Sequence, residues 1–105
     1  MINYKQAMDF LLNRTNFEQK SASSYSHSDF KLDRMRRLLH TLGNPQKRPA
    51  IHIAGTKGKG STAHMISACL RASDLRVGLF TSPHLERYEE RIRINGEPIT
   101  EEFLV

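Results

Sequence analysis

Ala50-Ile51-His52-Ile53-Ala54 runs directly into Gly55-Thr56-Lys57-Gly58-Lys59-Gly60-Ser61-Thr62. The first five residues are short, apolar and β-branched, which is the composition of a buried strand. Gly55 to Gly60 is a glycine-rich turn. From Thr62 to Leu70 the apolar side chains fall largely on one face, so a helix is expected there. Strand, glycine turn and helix start form the surroundings a phosphate-binding loop needs. The glycines let the backbone bend with positive φ and bring its amides close to a ligand. The helix start adds unpaired N–H groups and the positive end of the helix dipole. Lys59 can set an ammonium against the β- and γ-phosphates, and Ser61 and Thr62 offer hydroxyls to phosphate or to a bound Mg²⁺. The common P-loop pattern has four residues between its first glycine and the Gly-Lys pair, and a hydroxyl directly after the lysine. Ile53 and Gly60 stand there instead. A plain glycine turn between two packed elements explains the glycines, but not two lysines beside a helix start.

Working outward, Val77-Gly78-Leu79-Phe80-Thr81 reads as a second short strand. With the first strand and the helix between them it makes a βαβ unit, which implies parallel strands and a right-handed crossover. Upstream, Tyr4, Ala7, Met8, Leu11 and Leu12 recur at helical intervals. Gln19 to Ser28 is polar and serine-rich and reads as a loop. Leu32, Met35, Leu38, Leu39 and Leu42 line a second helix, with Ser28 or Asp29 as its cap, Gly43 as its left-handed end and Pro45 as its stop. Downstream, Ile92 and Ile94 alternate with Arg91, Arg93 and Asn95, as in a half-exposed strand, and Asn95-Gly96 is a hairpin signal. Thr100-Glu101-Glu102 reads as a capped helix start. The chain stops at Val105, just after that start, and a truncated piece is the expectation. The fold class is therefore α/β: the start of a P-loop-type parallel-sheet domain, with helices before the first strand and a hairpin near the end.

The 105 residues suffice for one small domain. Sixteen basic against eleven acidic residues give a net charge of +5, which favours anionic partners. Arg34, Arg36 and Arg37 sit among leucines at helical spacing and read as a solvated helix face. The few aromatics fall mostly at apolar-periodic positions, which argues against a nucleic-acid surface. A single cysteine, Cys69, rules out an internal disulfide and fits a reducing compartment; its apolar helical surroundings suggest packing as a small hydrophobe. No apolar run reaches membrane-spanning length, and the N-terminus lacks the layout of a signal peptide, so a cytoplasmic protein is expected. His27, His40, His52 and His64 show no metal-ligand spacing.

The variant loop resembles the ATP loop of the Mur ligase superfamily, in its folylpolyglutamate synthase and dihydrofolate synthase branch. Gly60-Ser61 leans toward that branch, because the amino-acid-adding Mur enzymes usually carry a hydroxyl directly after the lysine. The resemblance extends through Leu32-Asp33-Arg34-Met35, Leu42-Gly43-Asn44-Pro45, Ile51 to Thr56, Thr81-Ser82-Pro83-His84-Leu85 and Glu90 to Gly96. It departs at Lys57, where the family usually has asparagine.

The resemblance implies an ATP-dependent carboxylate–amine ligase that adds L-glutamate to folate through an acyl phosphate. Dihydrofolate synthesis from dihydropteroate is a second open activity. The cofactors implied are ATP and Mg²⁺. By position, Gly55, Thr56, Lys57, Gly58, Lys59, Gly60, Ser61 and Thr62 would hold the phosphates, with Lys59 the charge on the transferred group. Ser82 would be a Mg²⁺ ligand, although a serine before proline also reads as a simple turn cap. His84, Glu90 and Arg91 would border the folate site, as would Asp29 and Phe30 before the second helix. A loop ion pair, a packed histidine and a staple residue are the plain alternatives for these five. Residues 1–105 would form the N-terminal part of the ATP-binding domain. The remainder of that domain and a C-terminal glutamate-binding domain would be absent, leaving this piece inactive alone. The full-length enzyme is expected to be a monomer without nucleic-acid or membrane partners, and self-association of the piece stays open. A Mur-type amino-acid ligase and a small basic binding module are the competing readings.

Overall fold

The structure, a computed structural model, describes residues 2–13 and 32–105. It divides into two compact units, Met1–Glu18 with Ile53–Val105, and Gln19–His52. The helices are α1 (Tyr4–Leu12), α2 (Leu32–Thr41), α3 (Lys59–Ala72) and α4 (Glu101–Leu104). The strands are β1 (Gly78–Phe80), β2 (Ile92–Ile94) and β3 (Glu97–Pro98), and 3-10 turns occupy Pro45–Lys47 and Tyr88–Arg91.

In the Gln19–His52 unit, α2 carries the expected periodic leucines, and Leu39 is half-buried while Leu32, Met35, Leu38 and Leu42 are exposed. Arg34, Arg36 and Arg37 form a solvated face as expected. The 3.4 Å pair between Arg36 and Asp33 is fully in solvent and contributes little. The helix ends as its sequence indicates. Gly43 takes φ +76 and donates its N–H to His40 O at 3.1 Å, and Asn44 donates to Leu39 O at 2.7 Å. These two bonds satisfy carbonyls that a helix end otherwise leaves unpaired. The expected cap at Ser28 or Asp29 and the expected loop from Gln19 to Ser28 lie outside the described residues.

In the other unit, α1 begins with a reciprocal cap. The Asn3 side chain accepts the Gln6 N–H at 2.9 Å, and the Gln6 side chain accepts the Asn3 N–H at 3.0 Å. Tyr4, Ala7, Met8 and Leu11 form its half-buried face, and Leu12 is exposed. This helix packs on α4. The α4 start follows its sequence: the Thr100 hydroxyl accepts the Phe103 N–H at 3.2 Å, with Glu101 and Glu102 in the first turn.

The sheet is antiparallel, in the order β1-β2-β3. Leu79 faces Arg93 across β1 and β2, and Ile94 faces Glu97 across β2 and β3. The hairpin turn is Asn95-Gly96, as expected, with both residues at positive φ (+51 and +92), the combination that matches the twist of the flanking strands. A Cβ on Gly96 would also displace the flexible Arg71 guanidinium at the end of α3, so it is the positive φ that calls for glycine here. Pairing of β1 with β2 continues past both ends of β1. The Asn95 side chain and backbone both bond Val77, at 2.9 and 2.8 Å, and Thr81 donates to Arg91 O at 2.9 Å.

Two expectations fail here. Ala50 to Ala54 forms no strand, and β1 takes its partner from β2 rather than from a parallel neighbour. A parallel strand needs cover on both faces and a ladder on each side. Among the described residues nothing supplies either for this run, and Ile51 is 61% exposed. The second failure is Cys69, which is exposed on α3 rather than packed. The stripe of α3 that turns inward is Gly60, Ala63, Ile66, Ser67 and Leu70. This helix packs on β1, and Ile99 is the one apolar side chain fully out of solvent among the described residues.

Candidate functional site

The glycine segment lies against the start of α3. That helix begins at Lys59, three residues earlier than its apolar pattern indicates, so Lys59, Gly60 and Ser61 form its first turn. Gly58 is the cap residue, at φ +74 and ψ 1, a left-handed conformation that glycine adopts without steric cost. Its carbonyl accepts the first helical bond, from Thr62 N–H at 3.0 Å. Gly58 has no side chain to cap the helix. The N–H groups of Lys59, Gly60 and Ser61 therefore point out of the helix end without an intrahelical acceptor. The Lys59 side chain arches back over the loop and donates from Nζ to Gly55 O at 2.7 Å. Thr56, Lys57, Ser61 and Thr62 are all exposed. The segment thus gathers two ammonium groups, three open amides and three hydroxyls on one solvent-facing turn.

Ser82 follows β1 by two residues and is exposed, ahead of a cis bond to Pro83. His84, Glu90 and Arg91 come together with Tyr88. Arg91 Nε donates to His84 Nδ1 at 2.7 Å, and its guanidinium lies 4.9 Å from the centre of the Tyr88 ring. The His84 and Tyr88 rings are 5.6 Å apart and tilted by 51°. The cation–π contact and the hydrogen bond hold the two rings in one orientation. An imidazole that accepts at Nδ1 carries its proton on Nε2, so His84 is set to donate there. Glu90 turns toward the backbone instead. Oε2 accepts from Leu85 N–H at 3.0 Å, and Oε1 accepts from Glu86 N–H at 3.2 Å and Arg87 N–H at 2.9 Å. These amide bonds, Leu85 first and then Arg87 and Glu86, outweigh desolvation and hold its carboxyl below its ordinary range. Asp29 and Phe30 lie outside the described residues.

Sequence reasoning missed Glu89, which is 1% exposed. Burial pushes its carboxyl up, but the Tyr4 hydroxyl, its own backbone N–H and Arg87 outweigh that and hold it below the ordinary range. The same contact raises the Tyr4 phenol. Arg87 Nε lies 3.4 Å from Glu89 Oε2 without closing a well-aligned hydrogen bond, and Arg87 also reaches Glu101 at 3.4 Å. Glu89 thus lies near Tyr4 of α1 and Arg87, neither of which closes a hydrogen bond to its carboxylate, and it is Arg87 that reaches α4 at Glu101. It borders an open depression of about 500 Å³ shared with Glu90, Arg93 and Thr100. In a run of four charged or polar residues nothing marks the second as the buried one. Only the tight 3-10 turn, with its three-residue repeat, sends Glu89 inward while Glu90 faces the preceding loop.

No protein-family model matches the chain. Known proteins do. The folylpolyglutamate synthase of Lacticaseibacillus casei is 55% identical over 69 residues, covering 65% of this chain and 16% of that protein. The dihydrofolate synthase/folylpolyglutamate synthase of Bacillus subtilis is 42% identical over 90 residues, covering 79% and 21%. A solved folylpolyglutamate synthase complex with AMPPCP and folate superposes with a TM-score of 0.77 at 39% identity, covering 97% of this chain and 23% of the other. The chain belongs to the folylpolyglutamate synthase family. It spans about a fifth of the length of these family members. The likeness covers both loops just described and carries the family fold, including an α/β piece whose described strands are antiparallel.

Proposed function

We infer that this chain is the nucleotide-binding start of an ATP-dependent ligase that adds L-glutamate to folate. The observation that carries this reading is the start of α3. Three uncommitted amides and the Lys59 ammonium converge where a glycine cap leaves no side chain in the way. Such an end attracts phosphate through its N–H groups and its dipole. The family's solved complex with AMPPCP and folate supports ATP and folate as ligands of the same protein.

Gly55 to Thr62 would cradle the phosphates. Lys59 would leave Gly55 O and move to the transferred phosphoryl group, replacing a neutral acceptor by an anionic one. Lys57 adds a second positive charge on the same turn. For Mg²⁺ the hard oxygen donors available are the Ser61, Thr62 and Ser82 hydroxyls, a set that suits this ion when phosphate and water complete its shell. Gly60 offers none, which makes Ser82 the residue we assign to the ion. The bound ion would neutralise phosphate charge.

The residues of the chain then have distinct tasks. The loop amides and Lys59 bind and orient the γ-phosphate for transfer to the substrate carboxylate. The acyl phosphate so formed is attacked by the glutamate amine, giving an amide and phosphate. His84, with its proton on Nε2, and Arg91 would face the folate side. Glu90 serves that side through the backbone it holds. Dihydrofolate synthesis would use the same chemistry on dihydropteroate. On this reading residues 1–105 would be the N-terminal part of the ATP-binding domain, and these residues alone would release no ADP coupled to ligation. Among the described residues no helix is long and apolar enough to cross a membrane, and the reading places the enzyme in the cytoplasm, as a monomer.

The test is a pair of calorimetric titrations, Mg-ATP into the chain and into Lys59→Ala, with circular dichroism confirming equal helix content. Saturable binding that is lost in the variant supports the assignment. Equal binding by both overturns it.

A further inference from the structure

Glu90 meets three consecutive amides, and capping of its own turn explains only one of them. The Tyr88–Arg91 turn begins at Arg87, whose N–H bonds Glu90 Oε1 while Glu90 N–H bonds Arg87 O at 3.2 Å. That reciprocal pair is an ordinary turn cap. The N–H groups of Leu85 and Glu86 lie upstream of the turn, yet the same carboxylate collects both. Its two oxygens are divided between them: Oε2 serves Leu85 alone, and Oε1 serves Glu86 and Arg87. The Leu85 N–H belongs to the peptide plane that follows His84. The next residue of the turn, Arg91, holds the His84 ring through Nδ1. Two adjacent side chains of one turn thus fix the backbone and the imidazole of the same residue.

We propose that Glu90 is a positioning residue: it locks the 84–87 segment so that His84 presents a fixed Nε2–H donor. The inference deepens the reading above, on the substrate side of the same site, and rests on it for the ligand that His84 would meet. A carboxylate suits the task because each of its oxygens accepts, so both ends of the amide row are satisfied at once. An amide side chain offers one acceptor and one donor. Glu90→Gln therefore leaves at least one backbone N–H facing an NH₂ group.

The lock is measurable on the chain by nuclear magnetic resonance without any nucleotide, so its outcome is independent of whether Mg-ATP binds. In Glu90→Gln, amide exchange at Leu85, or at Glu86 and Arg87, should accelerate at least tenfold while α3 amides keep their wild-type rates. The His84 ring nitrogens, read by ¹⁵N shifts, should change from a single Nε2–H tautomer to a mixture. Unchanged exchange at all three amides overturns the proposal, as does an Nδ1–H tautomer in the wild type. Should the variant fail to fold, the wild type still decides. The Leu85 amide shift and the Glu90 carboxyl carbon should titrate together, and a Leu85 amide that ignores the Glu90 titration sinks the idea.

Discussion

The two loops of this chain solve one problem in opposite ways. In each, three consecutive backbone N–H groups converge on a point where an anion belongs. After Ser82 the anion is supplied by the chain: Glu90 fills the row formed by Leu85, Glu86 and Arg87. At the start of α3 the corresponding row, Lys59, Gly60 and Ser61, has no side-chain cap, and the nearest cation is parked on a carbonyl. One loop is complete by itself and therefore defined before any ligand arrives. The other is prepared by leaving polar groups open to water, which is the cheaper way to wait for an external phosphate. Built this way, the chain holds the 84–87 segment with its own carboxylate and leaves the start of α3 open.

The largest expected effect follows from the open loop. Removing the Lys59 ammonium should weaken Mg-ATP by about 1.5–3 kcal/mol, roughly 10- to 150-fold in Kd, the worth of a hydrogen bond to a charged group. The same substitution should leave the exchange rates of Leu85 to Arg87 untouched. Calorimetry and amide exchange on one variant check both halves, and coupled changes at the two loops would break the contrast.

Next is the cap residue. Gly58 sits at φ +74 with nothing within 4 Å of where a Cβ would stand. Gly58→Ala therefore meets no clash and suffers only the left-handed backbone, about 1–2 kcal/mol. Thermal unfolding should show that loss, with Gly58→Asn losing less, because asparagine tolerates this conformation. Equal stability of all three would mean that the helix start is not held in the conformation described.

The closed loop should respond to acid where the open one does not. Glu90 and Glu89 both have carboxyls held below the ordinary value of 4.5. A lowered folded value contributes stability that is present above the unfolded value and lost as pH falls through the folded one. Unfolding measured from pH 7 downward should thus be flat until about the ordinary carboxylate range and then decline. Protection of Leu85 to Arg87 should fall with it. The backbone N–H groups of Leu85, Arg87 and Glu86 face Glu90, and the Tyr4 hydroxyl and the Arg87 guanidinium face Glu89, so the decline tracks these contacts. Residues 55–62 contain no carboxylate, and the amides of Lys59 to Ser61 should show no matching step.

What the sequence makes readable follows the same division. The Asn95-Gly96 turn, the Gly43 helix end and the Thr100 cap all depend on residues within a few positions, and each is where local chemistry puts it. The gathering of His84, Glu90 and Arg91 was also expected, through family resemblance. The illegible parts depend on partners far along the chain. Ala50 to Ala54 has the composition of a buried strand, but a strand exists only with a ladder, and composition does not say which segment provides one. Cys69 falls within an apolar helical run, yet the inward stripe of α3 passes through Ser67 and Leu70 instead. Glu89 is buried because a 3-10 turn and Tyr4, eighty-odd positions away, meet there. That burial has no local signature.

The smallest effect separates folding from binding within the open loop itself. Gly60 is the second residue of α3, and no atom lies within 4 Å of its missing Cβ. Helical glycine costs conformational entropy, so Gly60→Ala should stabilise the free chain by about 0.5 kcal/mol. Nothing in the free fold calls for glycine at this position. If a phosphate approaches the Gly60 amide closely, the same methyl group should weaken Mg-ATP while raising the unfolding temperature. Opposite signs in the two measurements would place the need for Gly60 in the bound state. A methyl group that leaves Mg-ATP affinity unchanged would show that the phosphate stays clear of this amide, and would narrow the cradle to Lys59 and Ser61.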